Sequence, residues 1–169
     1  DLIYGLPKQN LDGFAKTIDT VLSVRPDRFA VYAYAHLPQM FKAQRQLNAE
    51  FLPTPETRLA LLGLTIEKLT SAGYVYIGMD HFALPQDELV VAQENGTLQR
   101  NFQGYSTRGY CDLIGLGVSS IGKVGDNFVQ NLKTLPEYYG ALDRGELPVH
   151  RGLTLTRDDI IRRDVIQQI

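Results

Sequence analysis

The most constraining feature of the sequence is a strand–helix–strand pattern in residues 1–34. One short apolar run, Leu2 to Tyr4, is broken by a Gly-Leu-Pro turn, and a second apolar and aromatic run spans Arg28 to Tyr34. The residues between them carry the i, i+4, i+7, i+8 spacing of an amphipathic helix, at Phe14, Ile18, Val21 and Leu22. A strand, a helix and a strand within this length predict a βαβ unit with parallel strands and a right-handed crossover.

Residues 40–93 predict further helices and a strand. The run MFKAQRQLNAEF (residues 40–51) predicts a short helix with a basic face. A stronger helix follows, because Thr54 suits the cap and Pro55 the first turn. Its predicted buried stripe is Leu59, Leu62, Ile66 and Leu69. A third strand is expected at Tyr74 to Ile77 and another helix at about Pro85 to Gln93.

The last third of the chain shows weaker signals. Apolar spacing predicts a short strand at 128–129, a helix within 131–144 and a strand at 149–153. Thr156 then caps a charged final helix, Arg157 to Gln168. No repeat, linker or low-complexity tract divides the sequence, so we expect a single α/β unit over residues 1–169.

Composition excludes several classes of protein. The 169 residues carry a formal net charge of −2, which gives no electrostatic footprint for nucleic acid. No apolar run approaches the roughly 18 residues of a membrane span. One cysteine, Cys111, allows no internal disulfide, which predicts a reducing compartment such as the cytoplasm.

Both ends of the sequence lie inside predicted elements. The chain opens with Asp1 in a predicted strand and closes at Ile169 in a predicted helix. Native domains seldom begin and end in this way, so we expect a piece of a longer protein, truncated at both ends. An uncovered strand edge at residues 1–5 would then favour self-association of the chain.

Histidine and aspartate residues follow several predicted strands. They are His36, Asp80, His81 and Asp112. The carboxyl ends of parallel strands face one side of a sheet, so these side chains are expected to converge there. Such a set can form a metal site or an acid–base pair, or each histidine can simply bond a backbone carbonyl at a strand end.

Two other segments carry weaker functional signals. Residues 112–122 hold three glycines in an apolar run without the GxGxxG register, which favours close backbone packing over a nucleotide-binding role. The loop NFQGYST (residues 101–107) is polar and aromatic. Its side chains suit stacking on a planar ligand and bonding of carboxylates, although an ordinary exposed loop is an equal alternative.

Several stretches together resemble one enzyme family. They are DLIYGLPKQ (1–9), FAVYAYAHLPQMFKAQR (29–45), GYVYIGMDHFALPQDEL (73–89), NFQGYST (101–107) and LTRDDIIRRDVI (155–166). The pattern is similar to the oxygen-independent coproporphyrinogen III oxidases of the radical S-adenosylmethionine (SAM) superfamily. GMDHFALP with NFQGYST is the specific part of the resemblance, which covers essentially the whole chain.

The resemblance implies a fold and a reaction. The fold is the distal part of a radical SAM partial (β/α) barrel with the following sheet and helices, the C-terminal portion of a core domain. The reaction is oxidative decarboxylation of two propionates of coproporphyrinogen III to vinyl groups, giving protoporphyrinogen IX in heme biosynthesis. A 4Fe-4S cluster cleaves SAM, the resulting radical removes a propionate hydrogen, and an external electron acceptor takes the remaining electron. The cysteine motif for the cluster is absent here, so its ligands are expected outside this chain.

The resemblance also implies site residues. Those at SAM are Asp1 beside the ribose, Ala35 beside the adenine, and Gln103 and Ile121 against a SAM molecule in the active site. Candidates on the substrate side are His36, Asp80, His81, Phe102 and Tyr105. No catalytic residue and no metal ligand is assigned within the chain.

Two alternatives remain at this point. One is a radical SAM-like heme chaperone, which shares DLIYGLP but fits YAHLPQMFKAQR and GMDHFALP less well. The other ignores the resemblance and is a small metal-dependent α/β hydrolase that uses His36, Asp80, His81 and Asp112.

Overall fold

The computed structural model describes residues 1–101 and 104–167. Its contacts group the chain into two compact units, Asp1–Leu98 and Gln99–Ile169, whereas the sequence predicted a single unit over 1–169. The mixed α/β composition is as predicted, since helices and strands alternate in the first unit and recur in the second. Among the described residues, no helix is both long enough and apolar enough to cross a membrane.

The first unit is a four-stranded sheet with helices. Its elements are β1 (Leu2–Tyr4), α1 (Leu11–Val24), β2 (Arg28–Ala33), α2 (Pro55–Ser71), β3 (Val75–Gly78), β4 (His81–Ala83) and α3 (Glu88–Glu94). The strand order is β1-β2-β4-β3, so β1 forms an edge. Strands β1 and β2 are parallel, while β4 is antiparallel to both β2 and β3.

The predicted βαβ unit is confirmed. Asn10 caps α1 by accepting a hydrogen bond from the Gly13 amide at 2.8 Å. Phe14 and Ile18 are 2% and 0% exposed in the core, as the helical spacing requires. Leu2 lies beside Val31 in the parallel pair, so the crossover returns the chain next to its first strand.

Helix α2 begins where the sequence places it. The Thr54 hydroxyl accepts a hydrogen bond from the Thr57 amide at 3.2 Å, and Pro55 opens the first turn. The predicted stripe is confirmed at Leu69, which is buried, and at Leu62 and Ile66, which pack against the core, but it is wrong at Leu59. Leu59 is 71% exposed, while Leu61 and Thr65 are fully buried on the face that packs on the sheet.

We expect Thr54→Ala to lower the free energy of unfolding by about 1 kcal/mol, because the first turn loses its side-chain acceptor. Urea denaturation followed by circular dichroism measures the change. Thr20→Ala, in the middle of α1 with an exposed hydroxyl, is the matched control and should cost less. Equal losses in the two variants would contradict the role of Thr54 as the cap.

Two predictions about residues 40–83 are wrong. One is the single helix at 40–51, and the other is the placement of Asp80 and His81 at the carboxyl end of a parallel strand. The stretch 40–51 forms two short 3₁₀ helices, Lys42–Gln46 and Ala49–Phe51, in place of one amphipathic helix. The region after β3 also turns back at once, because Gly78 and Met79 both adopt positive φ, 135° and 49°. The returning strand β4 inserts between β2 and β3.

The second unit contains a hairpin, a three-stranded sheet and two helices. Its elements are β5 (Gln99–Asn101), β6 (Gly104–Ser106), β7 (Ile121–Val124), β8 (Asn127–Asn131), α4 (Leu135–Asp143), β9 (Val149–Thr154) and α5 (Arg157–Gln167). Strands β7, β8 and β9 pair antiparallel in that order. The strands expected at 128–129 and 149–153 and the helices expected near 131–144 and 157–168 are confirmed, with shifted bounds.

Gly115, before β7, and Gly122, within it, serve the close packing predicted for this segment. A Cβ added to Gly115 would lie 2.8 Å from the Ile121 carbonyl oxygen, and one added to Gly122 would lie 2.9 Å from that of Leu113. The segment is also tied down by Asn131, whose amide nitrogen donates to the carbonyl oxygens of Gly115 and Gly117. Larger residues at these two positions would separate the strand from the segment.

Candidate functional site

The sheet of the first unit is covered on one face and open on the other at β1 and β2. Phe29 and Val31 point into the core, where they join Phe14 and Ile18 of α1. Successive side chains of a strand alternate in direction, so Tyr32 and Ile3 point the other way, and they are 40% and 45% exposed. We call the surface formed by Ile3, Tyr32 and His81 the open face.

His81 is held at this surface by the β3–β4 hairpin. Its ring meets the Tyr32 ring edge-on with centroids 6.2 Å apart. The preceding residue, Asp80, accepts a backbone hydrogen bond from the Val31 amide at 2.8 Å. Burial, and to a smaller extent the negative charge of Asp80, raises the pKa of the Tyr4 hydroxyl.

His36 lies just beyond the end of β2. Its Nδ1 is 3.4 Å from the Tyr34 hydroxyl, and the two rings are 6.0 Å apart. The guanidinium of Arg58 donates to the Tyr34 carbonyl at 3.0 Å, which fixes this end of the strand. His36 and His81 therefore each contact a tyrosine of the same strand segment, Tyr34 and Tyr32.

The metal-site interpretation of the His/Asp set is not supported. The described parts of the chain contain no group of three or more His, Cys, Asp or Glu side chains that could hold a metal ion. Asp112 belongs to the second unit and accepts a hydrogen bond from the Gly125 amide at 2.8 Å. The expected convergence of four side chains is not seen: His81 lies beside Ala30 of β2, whereas His36 contacts Tyr34 beyond the end of that strand.

The residues assigned to SAM by resemblance fall in different places. Asp1 precedes β1, and strand alternation places it on the side of Ile3. Ala35 follows β2 and is exposed, and its carbonyl accepts a hydrogen bond from the Gln44 side chain at 3.1 Å. Gln103 and the substrate-side candidate Phe102 lie outside the described residues. Ile121 opens β7 in the second unit.

These positions suit a nucleoside better than an iron–sulfur cluster. Asp1 and Ala35 are both exposed at the open-face strands, so a carboxylate acceptor and backbone groups are available to a ribose and an adenine. A 4Fe-4S cluster takes about four thiolates, and the chain has one cysteine, Cys111. The chain's own residues therefore do not fit the cluster.

The second unit contains a cavity of about 990 Å³. One wall is the face of the three-stranded sheet that presents two rows of paired side chains. The strand register aligns Ile121, Gln130 and Arg151 in the first row and Lys123, Phe128 and Leu153 in the second. All six residues line the cavity.

The cavity is also lined by residues of the β5–β6 hairpin and of the segment 108–113. Tyr105, a predicted substrate-side residue, is one of them. Gly109 lets this segment approach the hairpin, because a Cβ there would lie 2.7 Å from the Gln99 Cβ. Leu113 joins the segment to the sheet through paired backbone hydrogen bonds with Lys123, both 2.7 Å.

Sequence reasoning missed the basic residues of this cavity. They are Arg100, Arg108, Lys123, Arg151 and Arg163. A signal was present, because Ile121 and Lys123 alternate in one strand and Arg151 and Leu153 in another. Alternation alone does not say that the two strands share a face of one sheet, which depends on their register.

No protein family model matches the chain. Individual curated proteins, however, are similar to the chain over its full length. The chain is 57% identical over all of its 169 residues to the oxygen-independent coproporphyrinogen III oxidase of Pseudomonas aeruginosa. It is 54% identical to that of Salmonella typhimurium and 53% identical to that of Escherichia coli, again over its full length. The chain spans 37% of the length of each of these relatives.

A solved structure agrees with the sequence relatives. The coproporphyrinogen III oxidase of Escherichia coli, described as a radical SAM enzyme, matches 99% of the chain with a TM-score of 0.96 and 54% identity. The chain covers 39% of that structure. The resemblance inferred from the sequence is confirmed.

Proposed function

We propose that the chain is a working part of an oxygen-independent coproporphyrinogen III oxidase, because it is similar over its whole length to one segment of these enzymes. The reaction would be oxidative decarboxylation of two propionates of coproporphyrinogen III to vinyl groups, giving protoporphyrinogen IX in heme biosynthesis. The observation that carries the proposal is the 57% identity over the whole chain. We also propose that the segment is the distal part of a partial (β/α) barrel, located in the cytoplasm.

In the first unit, Asp1 before β1 and Ala35 after β2 are the positions from which this chain would contact SAM. When bound and reductively cleaved with the help of a cluster held outside this chain, SAM would supply the radical that removes a propionate hydrogen. The Asp1 carboxylate would accept hydrogen bonds from the ribose, and the backbone at Ala35 would contact the adenine. Ile121 would supply apolar contact, and Gln103 would be a polar contact to SAM.

The neighbouring side chains would orient the substrate and keep water away. Tyr32 and His81 form an aromatic pair on the open face, which would offer apolar contact to a bound ligand. His36 is held beside Tyr34, and its imidazole provides a polar group at the rim. An external acceptor would take the electron left after carbon dioxide departs. Association of the chain through the β1 edge stays a prediction.

We expect Asp1→Asn, made in the full-length protein that carries this chain, to lower kcat/KM for vinyl formation about 10- to 100-fold. The reason is that a neutral amide replaces a charged acceptor worth about 1.5–3 kcal/mol. The assay is anaerobic conversion of coproporphyrinogen III with SAM and a reductant, with product separated by chromatography. Asp12→Asn, on the exposed first turn of α1, is the matched control and should retain wild-type activity.

The same assay tests the proposed function itself. Vinyl product from the wild-type protein supports the oxidase. Tight binding of heme without any turnover would contradict it and would favour the chaperone alternative. If Asp1→Asn were as active as Asp12→Asn, the proposed reaction would be unaffected, but Asp1 would have no role in binding SAM.

A further inference from the structure

The cavity of the second unit concentrates positive charge. The unit, from Gln99 onward, contains nine lysine and arginine residues and eight aspartate and glutamate residues. Five of the nine cations line the cavity, but only one of the eight carboxylates does, that of Asp112. The lining therefore carries a formal charge of +4 in a unit whose formal charge is +1. This asymmetry favours an anionic ligand.

Among the described residues, two of these cations, Lys123 and Arg151, lie in no ion pair. Arg163 is paired with Asp126 at 3.4 Å and with Asp164 at 3.2 Å. Arg151 instead donates to the neutral side-chain amide of Gln130 at 2.9 Å. The sheet face thus presents two uncompensated charges at fixed positions.

Lys123 and Arg151 lie on the two outer strands of the three-stranded sheet. Lys123 is on β7 and Arg151 on β9, with β8 between them and two residues of register offset. With strands about 4.8 Å apart and about 3.4 Å per residue, their Cα atoms lie roughly 12 Å apart. Phe128 and Gln130 of β8 lie between them, and Leu153 beside Phe128 extends the apolar part of this surface. One small anion could not reach both charges, whereas a broad apolar ring with carboxylates on opposite sides could.

We propose that this cavity binds an apolar macrocycle with several carboxylates, in which Lys123 and Arg151 pair with carboxylates on opposite sides and Phe128 contacts the ring. The ligand's identity as coproporphyrinogen III rests on the proposed function. In that case Lys123 and Arg151 are specificity-determining residues that hold propionates away from the reacting one. The volume of about 990 Å³ is within the upper range of ligand cavities.

The test is titration of the full-length protein with coproporphyrin III, the stable oxidised form of the macrocycle, followed by porphyrin fluorescence. Lys123→Gln and Arg151→Gln should each raise the Kd about five- to tenfold, and the double variant more. Lys133→Gln and Arg157→Gln remove the same charges from exposed positions of the same unit that do not line the cavity, and should bind as wild type does.

Two further sets of binding measurements identify which interaction the variants lose. Coproporphyrin III tetramethyl ester has the same ring without charges, so its affinity should be the same for all variants. The charge-retaining variants Lys123→Arg and Arg151→Lys should keep most of the affinity for the acid. Melting curves check that every variant is folded.

The outcomes separate this inference from the proposed function. Wild-type affinity for the acid in Lys123→Gln and Arg151→Gln would overturn the inference, even if the protein makes vinyl product. An equal loss of acid and ester binding would also overturn it, because the charges would then have no specific role. Charge-dependent binding in a protein that never forms vinyl product would overturn the proposed function and leave the cavity assignment intact.

Discussion

Replacing Asn131 with alanine is expected to lower the free energy of unfolding of the second unit by about 3 kcal/mol. Asn131 is 9% exposed, and its side-chain nitrogen donates to the carbonyl oxygens of Gly115 and Gly117 at 3.1 and 3.0 Å. It also lies 3.0 Å from the Ser120 hydroxyl. Alanine would leave two partly buried carbonyls without this donor and open a gap beside β8.

Urea denaturation followed by near-ultraviolet circular dichroism measures the change, since the tyrosines of α4 adjoin this segment. Asn127→Ala is the matched control, because Asn127 is on the same strand with an exposed side chain that bonds Thr154. We expect the control to cost less than about 1 kcal/mol. If Asn131→Ala were no more destabilising than Asn127→Ala, the bonds to the glycine segment would contribute little.

The sequence predicted β1, α1, β2 and the start of α2 because caps, turns and apolar spacing within each segment determine these elements. Helix α1 has a cap, an apolar stripe and a stop within its own sequence, and its flanking runs are apolar enough to be strands. Helix α2 likewise has a cap and a proline at its start. The shift from Leu59 to Leu61 on the buried face of α2 could not be read, because leucines occupy both positions.

The β3–β4 hairpin could not be predicted for a different reason. Its turn lacks an Asn-Gly or Asp-Gly pair, and β4 has three residues. Its place between β2 and β3 depends on long-range pairing, in which Ala30 lies beside His81. As a result, the sequence placed His81 at the end of a parallel strand, whereas it begins an antiparallel one.

Candidate site residues were predictable in type but not in grouping. Tyr105, a substrate-side candidate from its loop, and Ile121, which the resemblance assigned to SAM, line one cavity. The cations beside them belong to strands that are about 30 residues apart in sequence, and only the register of β7, β8 and β9 brings Lys123 and Arg151 onto one face. Local patterns carry no information on such register.

Replacing Leu61 with alanine is expected to give the largest loss of stability in the first unit, about 2–5 kcal/mol. Leu61 is 0% exposed and belongs to the cluster that includes Phe14, Phe29 and Tyr4. Truncation removes apolar contacts from α1 and from both parallel strands, and leaves a cavity that rigid neighbours fill only in part. The measurement is urea denaturation of the chain, followed by far-ultraviolet circular dichroism.

Leu59→Ala provides the control, since it makes the same chemical change two residues away on the same helix. Leu59 is 71% exposed, so its replacement should change the free energy of unfolding by less than about 0.5 kcal/mol. The sequence pattern alone predicts the opposite order, because it placed Leu59 in the buried stripe. A larger loss of stability for Leu59→Ala than for Leu61→Ala would therefore contradict the orientation of α2 in the structure. It would also contradict the assignment of Phe29 and Val31 to the covered face of the sheet and of Tyr32 to the open face.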